Sequence, residues 1–259
     1  MGGGDLGLSA MTADDMAADE APAEEVSAPV ETEKAVAEAV EDAVESGEGE
    51  AAPEPQASNE IRLARTTSAP LATRFVAGKH YTLLNPAQPT SSAPDQIEVA
   101  EFFMYTCPHC YNFEPIVQTY LAKKPADVNF IRVPVVFNQV AQLHARAFYT
   151  AEVMGILETT HYPMFKAIHV DRNMLASEEA IISLLTPLGV DEAEFRKNFN
   201  SFAVDTKMRQ GATMARRFQI SSVPNVIVNG KYLTGGAMAG SYETLLEIID
   251  ELVMIERTR

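Results

Sequence analysis

The chain has two cysteines and no tryptophan among its 259 residues. Cys107 and Cys110 would close a loop too short to staple a fold, so a structural disulfide framework is excluded and the pair is left for chemistry or for a metal. Basic residues are scarce at the start. Residues 1–60 hold 17 Asp and Glu against the single Lys34, a net of −16, whereas residues 61–259 hold 19 of each sign and sum to zero. The −16 of the whole chain therefore belongs to its first quarter, which repels nucleic acid and anionic membrane surfaces alike, and neither is expected as a partner. Aromatic residues are missing before Phe75, and Ala, Glu, Pro and Gly dominate there. Such a segment cannot bury enough apolar surface to offset the entropy of ordering, and it reads as a disordered acidic tail. Within it Val36, Val40 and Val44 recur at a spacing of four. That is the pattern of one or two fluctuating amphipathic turns, or a compositional accident in an Ala/Glu tract. Long uncharged apolar runs are also lacking, so no membrane-spanning helix is expected. The opening Met1-Gly2-Gly3-Gly4-Asp5-Leu6 has neither the basic nor the apolar region of a secretory signal, and Leu6 stands where a myristoylation signal needs Ser or Thr. The sequence as it stands reads as soluble; work outside the cytosol would need a signal or anchor removed from it or lying upstream.

What is present begins at about Gly78, where apolar segments alternate with turn signals. The organisation expected is a tail and linker over 1–77 and one domain over 78–259, ample for a single well-buried core. A short strand over 79–84 ends at Asn85-Pro86. A Pro/Ser-rich loop then leads into a strand over 96–105, a long apolar run rich in Phe, Ile and Val. A helical pattern runs from Cys107 to about Ala122, with Phe113, Ile116, Val117 and Tyr120 on one face, and a strand follows over 128–137. Strand, helix, strand is a βαβ unit with parallel pairing. Residues 139–218 carry almost no strand signal but several helices, over 143–155, 161–170, 177–188 and 191–199 and one reaching Phe218. Ser177 followed by Glu178 and Glu179 marks a helix start. Strands resume over 225–228, and Asn229-Gly230 predicts a tight hairpin into 231–234. A last helix spans about 241–255.

Cys107-Pro108-His109-Cys110 sits where a strand ends and a helix begins, with Pro108 at the first helical position, where its missing N–H costs nothing. Cys107 then meets the unpaired N–H groups and positive dipole end of the helix, which stabilise a thiolate, while Cys110 lies one turn deeper and shielded. A nucleophile and its resolving partner follow. A bare C-x-x-C is a weak signal, but at the β-to-α junction of a βαβ unit it is the thioredoxin-type redox motif. The rival is zinc, for which two thiolates would need help from His80, His109, His144, His161 or His169; no paired spacing such as H-x3-H occurs among them, and no metal site is expected.

The segment Glu101-Phe102-Phe103-Met104-Tyr105-Thr106-Cys107-Pro108-His109-Cys110-Tyr111-Asn112-Phe113-Glu114-Pro115 closely resembles the active-site segment of the DsbA family, including its Pro-His dipeptide. Ser221-Ser222-Val223-Pro224 followed by Asn225 to Leu233 resembles that family's cis-proline loop and hairpin, and the helical stretch falls between the two as it does there. The resemblance covers roughly residues 78–255. It implies a thioredoxin fold with an all-helical insertion, behind the acidic tail.

For function, the resemblance implies a thiol-disulfide oxidoreductase that donates a Cys107–Cys110 disulfide to reduced secreted proteins through a mixed disulfide. No cofactor is implied beyond that disulfide. Cys107 becomes the attacked sulfur, with a pKa of about 3.5, Cys110 the buried partner, and His109 a donor that stabilises the Cys107 thiolate. Val223 offers backbone groups to an extended substrate chain beside a cis Pro224; taken from the residues alone, Pro224 reads instead as an ordinary trans turn proline. Glu101 interrupts an apolar strand. Buried, it would have a raised pKa and relay protons to Cys110; on an edge it would simply face water. Glu114 is expected to pair with a basic neighbour, and Arg132 stands where relatives often carry Lys, keeping the charge without a shiftable amine. Trp is absent although relatives carry it, and Thr106 replaces a residue that is often aromatic. The resemblance further implies a periplasmic monomer reoxidised by a DsbB-like, quinone-linked membrane oxidase. Other readings are a disulfide isomerase or reductase of the same superfamily, and a non-redox module holding extended peptides in the cis-proline groove.

Overall fold

The computed structural model describes residues 73–258. The disordered tail expected over 1–60, its Val36/Val40/Val44 turns and most of the expected linker lie outside the described residues.

Seven consecutive buried residues, Ile97–Phe103, form strand β2 at the heart of the sheet. Burial at every position means that both faces of β2 are covered, and it has a strand at each edge as well. Strand β3 (Val128–Pro134) pairs with it in parallel and β4 (Asn225–Val228) antiparallel. β5 (Tyr232–Gly235) pairs with β4 and with β1 (Thr82–Leu83), giving the order β1-β5-β4-β2-β3. The helix expected after the cysteines is α1 (Pro108–Leu121), and it makes the parallel β2-α1-β3 crossover.

Between β3 and β4 lie α2 (Gln139–Val153), α3 (Leu157–His169), α4 (Glu178–Leu185), α5 (Glu192–Phe199) and α6 (Phe202–Arg217). This is the expected insertion. Its helices start where short polar side chains cap them: Asn138, Ser177, Asp191 and Ser201 each accept from the backbone N–H three residues on. The Asn138 cap explains why α2 begins four residues before the expected position, since the apolar periodicity starts only at Leu143. Two closing helices follow, α7 (Gly236–Ala239) and α8 (Tyr242–Arg257), the latter capped by Ser241.

The hairpin forms at Asn229-Gly230, with φ of 48° and 64°. A side chain at Gly230 would meet the Gln88 carbonyl oxygen at 2.0 Å, so this position needs glycine for space as well as for its positive φ. Three strands are shorter than the pattern suggests, β2 among them, which ends at Phe103 and not at Tyr105. Lys79 and His80 belong to a turn around Gly78, leaving β1 only two residues, and β3 stops at Pro134.

α1 and α8 cover one face of the sheet, packing Phe113, Val117, Leu245 and Ile248 against Val99, Val226 and Val228. Ala100, Phe102 and Ile227 face the other side, against Phe218. The insertion has its own core of Phe148, Phe165, Ile181 and Phe195, which joins the sheet through Phe103 and Tyr105 at the end of β2. Phe75, inside the expected linker, is buried in the α1/α8 core, and the Glu251 carboxylate accepts from the backbone N–H groups of Arg74 and Phe75. Among the described residues no helix is long and apolar enough to cross a membrane.

Candidate active site

β2 delivers the chain to the site and α1 starts it. Cys107 is the N-cap of α1 in an extended conformation, and Pro108 occupies the first turn without forfeiting a helical hydrogen bond. Both sulfurs are thiols. Cys107 lies at the surface end of the helix and Cys110 beneath it, 1% exposed. Their environments drive the two thiols apart. A hydrogen bond from the Cys110 thiol lowers the Cys107 pKa to about 6, against a cost of partial burial. The backbone N–H groups of Cys110 and His109 help, and the His109 charge adds a smaller contribution. Burial pushes the Cys110 thiol far above its ordinary value, and its bond to Cys107 pushes it further. The direction for Cys107 is the one the resemblance implies, but the displacement stops well short of about 3.5.

The loop before β4 faces these sulfurs. The Val223–Pro224 bond is cis, and the Cys107 thiol donates to the Val223 carbonyl at 3.6 Å. His109, Val223, Pro224 and Tyr242 line one groove beside the sulfurs. The exposed His109 ring bonds the Tyr242 hydroxyl at 3.1 Å. The structure thus brings Cys107, Pro108, His109, Cys110, Val223 and Pro224 together from two segments more than a hundred residues apart.

Glu101 is buried, 2% exposed, so the water-facing alternative does not hold. Burial raises its pKa to about 8; Arg132 opposes the shift and Glu114 adds to it. Its Oε2 contacts Arg132 Nε at 3.5 Å, and among the described residues neither atom has a hydrogen-bond partner. Glu114 is buried too but well supplied: it accepts from Arg132 at 2.9 Å and from Gln118 at 2.6 Å, and bonds His161 Nε2 at 3.3 Å. Burial works against its charge, yet His161, Arg132 and Gln118 together hold its carboxyl below the usual range. Burial likewise keeps His161 neutral, overcoming Glu114. An ionised carboxylate only accepts, so Nε2–H of His161 donates to Glu114 and bare Nδ1 accepts from the Tyr105 hydroxyl, at 2.7 Å. Burial also raises the Tyr105 pKa, keeping that hydroxyl protonated.

The sequence reading missed Tyr105, His161 and Tyr242. Tyr105 passes for one more apolar residue of a strand, and His161 carries no spacing signal because its partners lie 47 and 56 residues away. The other histidines are engaged as well. His80 accepts from the Val76 N–H, His144 reaches the Met174 and Leu175 carbonyls, and His169 reaches the Tyr105 carbonyl. Among the described residues no group of three His, Cys, Asp or Glu is placed to hold a metal ion.

A family model described as DSBA-like thioredoxin domain matches residues 98–249. The chain is 39% identical over 183 residues to the thiol:disulfide interchange protein DsbA of Pseudomonas aeruginosa, covering 71% of this chain and 86% of that one. It is 37% identical over 177 residues to the DsbA of Burkholderia cepacia, covering 68% and 84%. The crystal structure of Pseudomonas aeruginosa DsbA superposes with a TM-score of 0.68 at 39% identity, over 71% of this chain and 95% of that one. With the fold, the paired sulfurs and these relatives in agreement, the chain belongs to the DsbA-like thioredoxin-domain family and is a thiol-disulfide oxidoreductase.

Proposed function

We propose that Cys107 and Cys110 form the disulfide this oxidoreductase donates, with Cys107 the sulfur that substrates attack. The carrying observation is the contrast between the two thiols: one lowered to about 6 at a helix start, the other raised by burial. A substrate thiolate attacks Cys107 Sγ, the S–S bond breaks, and its electron pair goes to Cys110 Sγ. A sulfur so averse to charge leaves best as a thiol, and protonated Glu101 supplies the proton. A second substrate thiolate then attacks the substrate sulfur of the mixed disulfide and expels the Cys107 thiolate. The substrate loses two electrons to its new disulfide and the protein gains them as two reduced sulfurs.

Pro108 sets the helix start, His109 favours the Cys107 thiolate through its backbone N–H and its charge, and Val223 beside Pro224 offers its carbonyl to an extended substrate chain. The substrates are reduced secreted proteins. Reoxidation falls to a DsbB-like, quinone-linked membrane oxidase that accepts the two electrons, with the protein acting as a monomer in the periplasm and using no cofactor beyond its own sulfurs. The folding unit reaches N-terminal of Gly78 to include at least Arg74 and Phe75, which are tied to α8. The test is thiol oxidation of a reduced protein and insulin reduction, each at a defined glutathione poise. Fast oxidation with slow insulin reduction is expected; the reverse would favour a reductase, and inactivity in both would discard the redox reading.

A further inference from the structure

Glu101 and Glu114 share one guanidinium, that of Arg132, at a site where the three side chains are 2%, 2% and 6% exposed. One cation offsets one anion. A second buried carboxylate would stand uncompensated, so one of the two holds a proton. The donors decide which. Glu114 has three, from β3, α1 and α3, while among the described residues Glu101 has only the 3.5 Å contact to Arg132 Nε. Of the three, Arg132 serves both carboxylates, and Gln118 sits one turn along α1 from Glu114. His161 is the donor brought in from the insertion.

We propose that His161 is a positioning residue: by donating to Glu114 it keeps that carboxylate ionised and assigns the shared proton to Glu101. This rests on the reading that Glu101 exchanges a proton with Cys110, whose thiol feels the Glu101 charge. Tyr105 completes the device by donating to Nδ1, which leaves Nε2 as the protonated nitrogen aimed at Glu114. The charged and titratable groups facing His161 are Glu114 from α1, Arg132 from β3, Tyr105 after β2 and Glu158 on its own helix. Phe103, Phe148 and Phe165 pack edge-on around the ring and exclude other partners. Remove the donor and Glu114 becomes a better base than before, so its hold on the shared proton strengthens while that of Glu101 weakens.

The experiment is a pH titration of the side-chain carboxyl carbons of Glu101 and Glu114 by NMR in the reduced full chain, assigned with Glu101→Gln and Glu114→Gln. In the unaltered chain Glu101 is expected to titrate near 8 and Glu114 to stay ionised at neutral pH. In His161→Leu the proton affinity of Glu101 should fall and that of Glu114 rise, each roughly tenfold or more. His161→Gln, which keeps an N–H donor, should restore much of the original order. A lost packing contact alone would move stability and leave both titrations in place. Unmoved midpoints in His161→Leu overturn the assignment. Should that variant not fold, Tyr105→Phe decides, with the same direction expected at smaller size and unmoved midpoints again overturning it. Failure of the underlying reading looks different: if Glu101→Gln leaves unchanged the pH profile of mixed-disulfide formation, the step in which Cys110 is released, the relay is wrong whatever the titrations show.

Discussion

Strand β2 carries two buried carboxylates three residues apart, and they have opposite surroundings. Glu98 takes hydrogen bonds from the Ser91 N–H, the Ser91 hydroxyl and the Ser92 hydroxyl, at 2.6 to 2.9 Å. Glu101, on the opposite face, has one cation at 3.5 Å and a pKa near 8. The difference is one of supply. A buried acid given enough donors becomes a structural pin; one given too few keeps its proton and becomes a reagent. The second is at the end of the strand that leads to the sulfurs.

The largest expected contrast lies at the sulfurs themselves. Cys110→Ser should accumulate mixed disulfides through Cys107, and Cys107→Ser should trap none; equal trapping, read on non-reducing gels, would erase the division between the chemical end of β2 and the rest. Next comes the pin. Glu98→Leu should lower stability by about 2–3 kcal/mol in denaturant titrations, because it strands three donors, while leaving thiol oxidation rates in place.

Glu101→Gln should do the reverse, raising stability at pH 7 by about 1–2 kcal/mol while slowing exchange. A carboxyl whose folded pKa is raised contributes fully below its unfolded pKa, and that contribution is lost as pH rises through about 8. Between those limits the unaltered protein should lose stability as pH rises, and the variant should lack that slope. A stability curve identical in shape for both would place Glu101 with Glu98.

The smallest effect separates the redox forms. The lowered Cys107 pKa stabilises the reduced fold fully above about 8.5, and the gain is lost as pH falls through about 6. At pH 7 roughly 1.4 kcal/mol should remain, well below the roughly 5 kcal/mol that a pKa of about 3.5 would give. Melting temperatures of both forms at pH 5, 7 and 9 measure it; a gap that does not widen with pH would mean the thiolate is not stabilised.

Much of this was legible in the residues. Cys107-Pro108-His109-Cys110 at a strand end, Asn229-Gly230 between apolar runs and Ser177 before two glutamates are local signals, and local backbone physics set them. Glu101 was visible only as an interruption, because burial depends on which strands flank β2. Phe75 was hidden in a stretch read as linker, since its burial needs α8, some 170 residues on. The Tyr105–His161–Glu114 chain had no signal at all: its spacings match no helix or strand period, and only the packing of α3 against α1 creates it.

The sulfurs and the carbonyl facing them are 116 residues apart in sequence, with the whole insertion between them. Contacts of that separation close late, since loop entropy must be met before they repay it. A chain emerging from its N-terminus presents Cys107 and Cys110 long before β4 brings Val223 into place. Until then the pair are ordinary exposed thiols at a nascent helix end, without the wall that faces Cys107 or the core that covers Cys110. Selective reactivity is therefore acquired with the last third of the chain, and completion of folding acts as the licence for exchange.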